Sequence, residues 1–357
     1  MASITKRPNG RWRARYRDAN GQEHARHFDR KVDGQRWLDE VTASVVTGTY
    51  VDPKTARTTV REWSETWIAG YSTRRASTVS QARTHLRLIN ATFGDHALAS
   101  VRPSEVRSWT GTLRDLGYAV STVHALHSRL GQLFCDAVHD GLLPRSPVSR
   151  RTSPGAGKQR PYVATTAQVW ALHDALPDPL RPMVLLGAFA GLRRGEIIAL
   201  RVHDVDFMGG IISPEIQYPS EPLKTEISRM PIPIPHELAL ELNRVPTEWG
   251  SEVLVVGATG QPITPSTANK AFGAAKRAVE GLPAEFRLHD LRHYYASMLI
   301  AAGLDVKVVQ ARLRHASAKT TLDTYGHLWP DSDESARAAV ARVFSERPAD
   351  RARTVPA

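Results

Sequence analysis

The chain has 357 residues, with 47 Lys and Arg against 36 Asp and Glu, a formal charge of +11, 41% hydrophobic residues and one cysteine, Cys135. That length fits two or three domains rather than one core, and a balance this basic points to a polyanionic partner such as nucleic acid. A lone cysteine excludes an intramolecular disulfide framework or a cysteine-rich zinc site, and no metal or cofactor is implied; the longest apolar stretch, near residues 183–192, is too short to span a bilayer, so a cytoplasmic protein with no membrane partner is expected.

In chain order, Asn9-Gly10 and Asn20-Gly21 are hairpin-turn pairs around RWRARYRDA, and they predict three short strands. In the middle strand Trp12, Ala14 and Tyr16 alternate with Arg11, Arg13, Arg15 and Arg17, so one face is apolar and the other is a ladder of guanidinium groups. A helix over residues 31–44, with Val32, Trp37, Leu38 and Val41, can cover the apolar face and leave the arginines to meet DNA phosphates and guanine edges. The competing reading is a charged face that meets only solvent.

Residues 47–57 read as a linker to a helical module over residues 58–145. Thr59 and Glu62 have capping-box spacing, and further helices are predicted over residues 78–89, 103–113 and 121–138, the last with Val123, Leu126, Leu130, Leu133, Phe134 and Val138 as its buried stripe. Arg74, Arg75, Arg83, His85, Arg87, Arg102, Arg107, Arg114, His124 and His127 are left as an exposed, phosphate-tracking surface. Residues 144–160, rich in Pro, Gly, Ser and basic side chains, predict a flexible second linker.

A third domain is expected over residues 160–346. Thr165 and Gln168 cap its first helix, and a buried helix over residues 183–190 runs into GLRRGEIIAL. Strands are predicted at residues 205–207, 211–217 and 230–234, the last demoted to an edge by its alternating prolines, with Lys224 near the turn of a hairpin at the border of this small sheet. A helix over residues 289–302 carries His289 and Arg292 side by side near its N-terminus, where N–H groups and the helix dipole favour an anion. A second helix follows Asp305, and Ser317 caps a third that carries Tyr325. Beyond Pro330 an amphipathic helix is predicted, with Ala336, Ala339, Val340, Val343 and Phe344 as its stripe, before a disordered tail at residues 347–357.

The order of polar residues resembles that of the tyrosine recombinases, the family of phage integrases and related strand-exchange enzymes. Gly191, Leu192, Arg193 and Glu196 match its GLRxxE-like box, Lys224 its hairpin lysine, His289 and Arg292 its HxxRH motif, and His315 and Tyr325 its last two positions. The resemblance spans residues 165–344 and implies a multidomain fold: an arm-binding domain of sheet plus helix at residues 1–52, an all-α core-binding domain, and a mainly α catalytic domain with a small antiparallel sheet. It implies double-stranded DNA attachment sites as partner, a homotetramer on synapsed DNA joined through the C-terminal helices, and, as helpers, an excision factor and a host DNA-bending protein. Where a typical family loop has Leu-Gly-His, this chain has Leu313, Arg314 and His315.

The residue types suit phosphodiester exchange without water or metal. Tyr325 serves as nucleophile, Arg193 and Arg292 as bidentate clamps on the non-bridging oxygens, and Lys224, desolvated beside the guanidiniums, as acid for the departing 5′ oxygen. His289 accepts the tyrosine proton or bonds a phosphate oxygen, His315 adds a donor, and Glu196 orients a neighbouring base or arginine. Tyr294 and Tyr295 are expected to be packing residues, and His293 a structural hydrogen-bonding histidine. An integrase of a phage or other mobile element is the reading favoured, because a basic sheet module precedes the two core domains; a dimer-resolving recombinase and a catalytically dead DNA-binding regulator are the alternatives.

Overall fold

A computed structural model describes residues 2–17, 21–47, 57–155, 157, 161–329 and 333–345. Asn20, the linker at residues 48–56, Pro330 and the tail expected at residues 347–357 lie outside them. The chain divides into two compact units, Met1–Lys158 and Gln159–Ala357, and the first holds two separate apolar cores.

The N-terminal core is built by β1 (Ser3–Lys6), β2 (Trp12–Arg17) and β3 (Glu23–Phe28), an antiparallel sheet in that order, and by α1 (Lys31–Val46). Trp12 stands opposite Phe28 and Tyr16 opposite His24. Ala14 and Tyr16 are buried with Leu38 of the helix, while Arg11, Arg15 and Arg17 are exposed, so the alternation expected of β2 is present.

The second core is helical: α2 (Val60–Gly70), α3 (Ala76–Phe93), α4 (Pro103–Asp115) and α5 (Val120–His139). Thr59 and Glu62 form the expected capping box, and α3 outruns its predicted span at both ends because Phe93 adds another turn to its buried stripe. Trp63 donates its indole N–H to the Leu133 carbonyl at 2.9 Å, which locks α2 onto α5. Arg83, Arg87, Arg102, Arg107 and Arg114 are exposed, but His127 is not: it is buried and bonded to the Thr152 hydroxyl at 2.8 Å. That bond corrects the second linker as well. Val148 and Thr152 are buried, and Arg150–Thr152 makes a 3₁₀ turn, so the segment belongs to the helical module as far as Thr152.

The second unit begins with α6 (Thr166–Asp174), capped by Thr165 and Gln168, and continues through α7 (Pro182–Phe189) and α8 (Arg194–Ala199). A small sheet follows, with β4 (Val205–Asp206), β5 (Ile211–Ile212), β6 (Ile216–Gln217), β7 (Glu221–Pro222) and β8 (Ile232–Pro233). The strand expected over residues 211–217 is split at Pro214, which has no N–H for a ladder: β5 lies between β4 and β8, and β6 pairs with β7 in a separate ribbon. The proline-rich β8 is the edge that its composition predicts. Then come α9 (His236–Trp249), α10 (Pro265–Arg277), α11 (Leu291–Ala301), α12 (Val306–Leu313), α13 (Ala318–Tyr325) and α14 (Asp333–Ser345). Around α7 a large apolar core includes Met183, Leu186, Ile198, Phe272 and Leu291, and a smaller cluster holds Tyr295, Ile300, Val309, Leu313 and Tyr325. Among the described residues no helix is long and apolar enough to cross a membrane.

Candidate active site

The two arginine motifs are joined through Gly191. Its φ is +62°, and a Cβ there would lie 2.4 Å from the Tyr295 ring, so the position requires glycine on both counts. The Gly191 carbonyl accepts from the Arg292 guanidinium, whose other arm donates to the Leu313 carbonyl. Arg292 is only 2% exposed, and burial, followed by the charge of Arg193, lowers its pKa. The structure corrects the helix start expected at His289. The helix starts at Leu291, after a 3₁₀ turn at Leu288–Asp290 held by the Asp290 carboxylate accepting from the Arg287 backbone N–H at 2.7 Å. His289 therefore stays in the turn, while Arg292 points inward.

Arg193 is the N-cap of α8, and Glu196 stands at the third position of that helix. The Glu196 carboxylate accepts from the Arg193 backbone N–H at 2.9 Å, from its Nη1 at 3.0 Å and from Arg314 Nη2 at 2.5 Å. Burial pushes the Glu196 carboxyl up, but the charge of Arg314, the Arg193 N–H and the charge of Arg193 together hold it below its ordinary value. Glu196 thus bonds two arginines of the cluster. Among the described residues it is the one carboxylate bonded to this cluster, so three guanidiniums face a single negative charge. An anion of one or two charges is what the cluster lacks.

Arg314 is the residue that the sequence pattern undervalued. It follows α12 with φ 52°, ψ 47°, the left-handed region, and it is 1% exposed. For a residue with a Cβ this backbone is unfavourable by about 1–2 kcal/mol and persists only when surrounding bonds hold it. The available signal was an arginine standing where a helix C-terminus favours glycine.

His315, next in the chain, bonds the Thr321 hydroxyl through Nδ1 at 2.9 Å, and burial, then Arg292 and Arg193, push it down to about 4. His293 is likewise pushed down to about 4 by burial, then by His289 and Arg292. Its Nδ1 lies 2.6 Å from the Tyr325 hydroxyl, and its Nε2 is 3.8 Å from an Asp290 oxygen. A neutral ring with its proton on Nε2, toward the carboxylate, leaves Nδ1 to accept from the phenol. His289 is lowered too, by enclosure and then Arg292, although its ring remains exposed to solvent. His293, expected to be a structural hydrogen-bonding histidine, is thus the direct partner of Tyr325, which the sequence did not indicate.

Tyr325 lies at the end of α13 as predicted, and it is enclosed there. It is 2% exposed and packed in the smaller apolar cluster, and burial raises its hydroxyl to about 12. Tyr294 and Tyr295 are buried packing residues; Tyr294 also bonds Thr166 at 3.0 Å. Lys224 follows β7 and is exposed, with no hydrogen bond or ion pair among the described residues, so the desolvation expected of it is absent here. A cleft of about 620 Å³ opens beside the cluster, lined by Arg193, Arg194, Lys276, Arg287 and His289. Arg292, His315 and Tyr325 do not line it.

Two lowered histidines give a pH dependence with a definite sign. His293 and His315 stand at about 4 when folded against 6.5 in the reference state. Between those values the unfolded chain binds more protons, so stability falls as pH drops from about 6.5 toward 4. Thermal melts across that window test this, and His293→Gln should flatten the slope; an unchanged slope in both His293→Gln and His315→Gln would refute it.

On the N-terminal sheet the arginine ladder is not bare. Glu23 lies 2.9 Å from Arg13, 3.4 Å from Arg15 and 3.9 Å from Arg17, and Asp29 lies 3.0 Å from Arg11. Four guanidiniums against two carboxylates leave the face positive, with Glu23 in competition with any phosphate for three of them.

Residues 163–331 match the phage integrase family, and residues 2–47 match the phage integrase N-terminal domain. The chain is 26% identical to a putative prophage phiRv2 integrase of Mycobacterium tuberculosis, over 94% of this chain and 93% of that one. It is 25% identical to the integrase of Mycobacterium phage D29, over 90% and 91%. Among solved structures, a Tn1549 transposon integrase in complex with transposon right end DNA superposes with a TM-score of 0.69 at 20% identity, covering 80% of this chain and all of that one. A lambda integrase dimer bound to a core site gives 0.61 at 20% identity, covering 92% and 96%. With two family models matched along its length and its GLRxxE and HxxRH arginines brought together in the fold, the chain belongs to the phage integrase family, the tyrosine-type site-specific DNA recombinases.

Proposed function

We propose that this chain integrates and excises the DNA of a phage or other mobile element, cutting and rejoining duplex attachment sites through a 3′-phosphotyrosyl bond to Tyr325, without metal or nucleotide. The observation that carries the reading is the charge imbalance of the cluster: with Arg314 paired to Glu196, the guanidiniums of Arg193 and Arg292 are left in excess. A scissile phosphate supplies the missing negative charge, and fixed guanidiniums stabilise the further charge that develops as phosphorus becomes five-coordinate. Arg193 and Arg292 clamp the non-bridging oxygens, and His289 and His315 donate beside them. Lys224 protonates the leaving 5′ oxygen, and Tyr325 attacks after its hydroxyl leaves His293. Because the phosphotyrosyl ester keeps the energy of the broken bond, religation needs no ATP.

Since Tyr325 is buried and the exposed Lys224 has no partner, DNA binding is the step that swings one out and the other in. Assembly as a homotetramer on synapsed DNA is supported by α14, whose Val340, Val343 and Phe344 are 57–72% exposed and suit a neighbouring protomer. An excision factor and a host DNA-bending protein complete the reaction in the cytoplasm. A recombinase that resolves dimers is the weaker reading, because the matching tyrosine recombinase XerC of Mycobacterium bovis covers 68% of this chain, whereas the prophage phiRv2 and phage D29 integrases cover 94% and 90% of it.

Incubating the protein with two DNA fragments that flank its gene, in EDTA and without nucleotide, is the decisive experiment. Recombinant products are expected, with any helper supplied as host extract; binding with neither strand breakage nor exchange would leave a regulator. The N-terminal sheet gives a separate test. Deleting residues 1–52 is expected to abolish recombination between full attachment sites while core-site binding remains within roughly tenfold of wild type. Loss of core binding would make the sheet structural. Both complexes should weaken steeply with salt, as each neutralised phosphate releases counterions.

A further inference from the structure

Arg314 touches three segments at once. Its Nη1 donates to the Ser228 carbonyl at 2.6 Å, its Nη2 to Glu196 at 2.5 Å, and its own carbonyl accepts from Arg193 Nη2 at 3.2 Å. Ser228 lies in the 3₁₀ turn Glu226–Arg229, whose N-cap is Thr225; the Thr225 hydroxyl accepts from the Ser228 N–H at 3.2 Å. Lys224 directly precedes that cap. A single buried side chain therefore ties the loop that carries Lys224 to the carboxylate that holds Arg193, from the residue next to His315.

The requirement is for an arginine in particular. A planar guanidinium presents donors in a fixed fork, so holding one acceptor fixes the angle to the other; an ammonium on a flexible stem fixes neither. The left-handed backbone turns that fork inward, and glycine, which adopts the same backbone with less strain, would leave Ser228 and Glu196 without it. Neutralising Glu196 alone would not need the bond to Ser228, since Arg193 already pairs with that carboxylate.

We propose that Arg314 is a positioning residue that sets the Lys224 loop in register with the arginine clamp, so that Lys224 meets the leaving oxygen when DNA binds. This rests on the role of Lys224 proposed above. In the free chain Lys224 is untethered, and its delivery depends on where the anchored turn behind it is held.

The test uses the full-length protein with Arg314→Gly, which keeps the backbone and removes the fork, and Arg314→Lys, which keeps a charge near Glu196. Core-site binding should stay within about threefold, while cleavage of ordinary DNA by Arg314→Gly falls on the order of a hundredfold, the scale for misplacing a reacting group by an ångström. Most of that loss should be recovered on a substrate with a 5′-bridging sulfur, whose leaving group needs no proton, and Arg314→Gly combined with Lys224→Ala should be no slower than Lys224→Ala alone. Trypsin should cut after Lys224 or Arg229 several times faster in Arg314→Gly. Equal losses on both substrates while sulfur rescues Lys224→Ala, additive losses in the double variant, or unchanged tryptic cutting would each overturn the proposal. Should sulfur fail to rescue Lys224→Ala itself, the acid assignment is what fails, and the tryptic rate still decides whether Arg314 holds the loop. If Arg314→Gly does not fold, Arg314→Lys carries the same measurements.

Discussion

Tyr325→Phe is expected to bind core-site DNA almost as the wild type does and to form no covalent complex at all. The ring that fills the cluster of Tyr295, Ile300, Val309 and Leu313 is kept, and only the hydroxyl bonded to His293 at 2.6 Å is removed. That bond is worth about 1 kcal/mol, so the melting temperature should fall by only a few degrees. Chemistry should be lost, because neither neighbouring tyrosine is placed to replace it: Tyr295 is a packing residue buried in the same cluster and Tyr294 is bonded to Thr166. A nicked suicide duplex in EDTA should trap wild-type protein on DNA, and the digested adduct should carry the nucleotide on Tyr325. Mapping it to Tyr294, Tyr295 or a serine, or a strict need for magnesium, would sink the mechanism. His293→Ala is a useful companion. If His293 only parks the phenol, adduct formation survives its loss; if it takes the proton, adduct formation slows.

The family and its polar skeleton were legible because they depend on spacing and on punctuation. Thr59 with Glu62 and Thr165 with Gln168 are capping boxes written within four residues, and the arginine alternation in β2 follows from a two-residue repeat. What spacing cannot carry is how far a side chain is buried and what it bonds across the fold. Arg292 falls in the expected motif, yet its partners are carbonyls of Gly191 and Leu313, distant in sequence, and its depth follows from packing around Tyr295. Arg314 and His293 were passed over for the same reason, since the Glu196, Ser228 and Tyr325 that give them meaning lie 32 to 118 residues away. The linker over residues 144–160 failed differently: a basic, proline-rich composition suggests a loose strap, but two side chains, Val148 and Thr152, suffice to pin its first part to α5 and its neighbours.

Lys224→Ala is expected to slow cleavage of ordinary DNA by roughly two to four decades, the usual range for removing a general acid. The departing 5′ alkoxide is a poor leaving group, so a proton delivered in the transition state counts heavily. Arg193 and Arg292 are proposed to hold the non-bridging oxygens rather than the leaving one. His315 and His293, at about 4, carry no extra proton near neutrality. That leaves His289 and the exposed Lys224, and Lys224 is the donor proposed, its loop carrying it to the leaving oxygen when DNA binds. Its removal should leave binding nearly intact, as Lys224 makes no contact that holds the free protein together. The diagnostic is the leaving group: with a 5′-bridging sulfur, which departs as a stable thiolate, Lys224→Ala should cleave at close to the wild-type rate. If the variant lost as much on the sulfur substrate as on ordinary DNA, Lys224 would be binding the phosphate instead, and the proton would have to come from His289, the one histidine of the site whose ring faces the cleft.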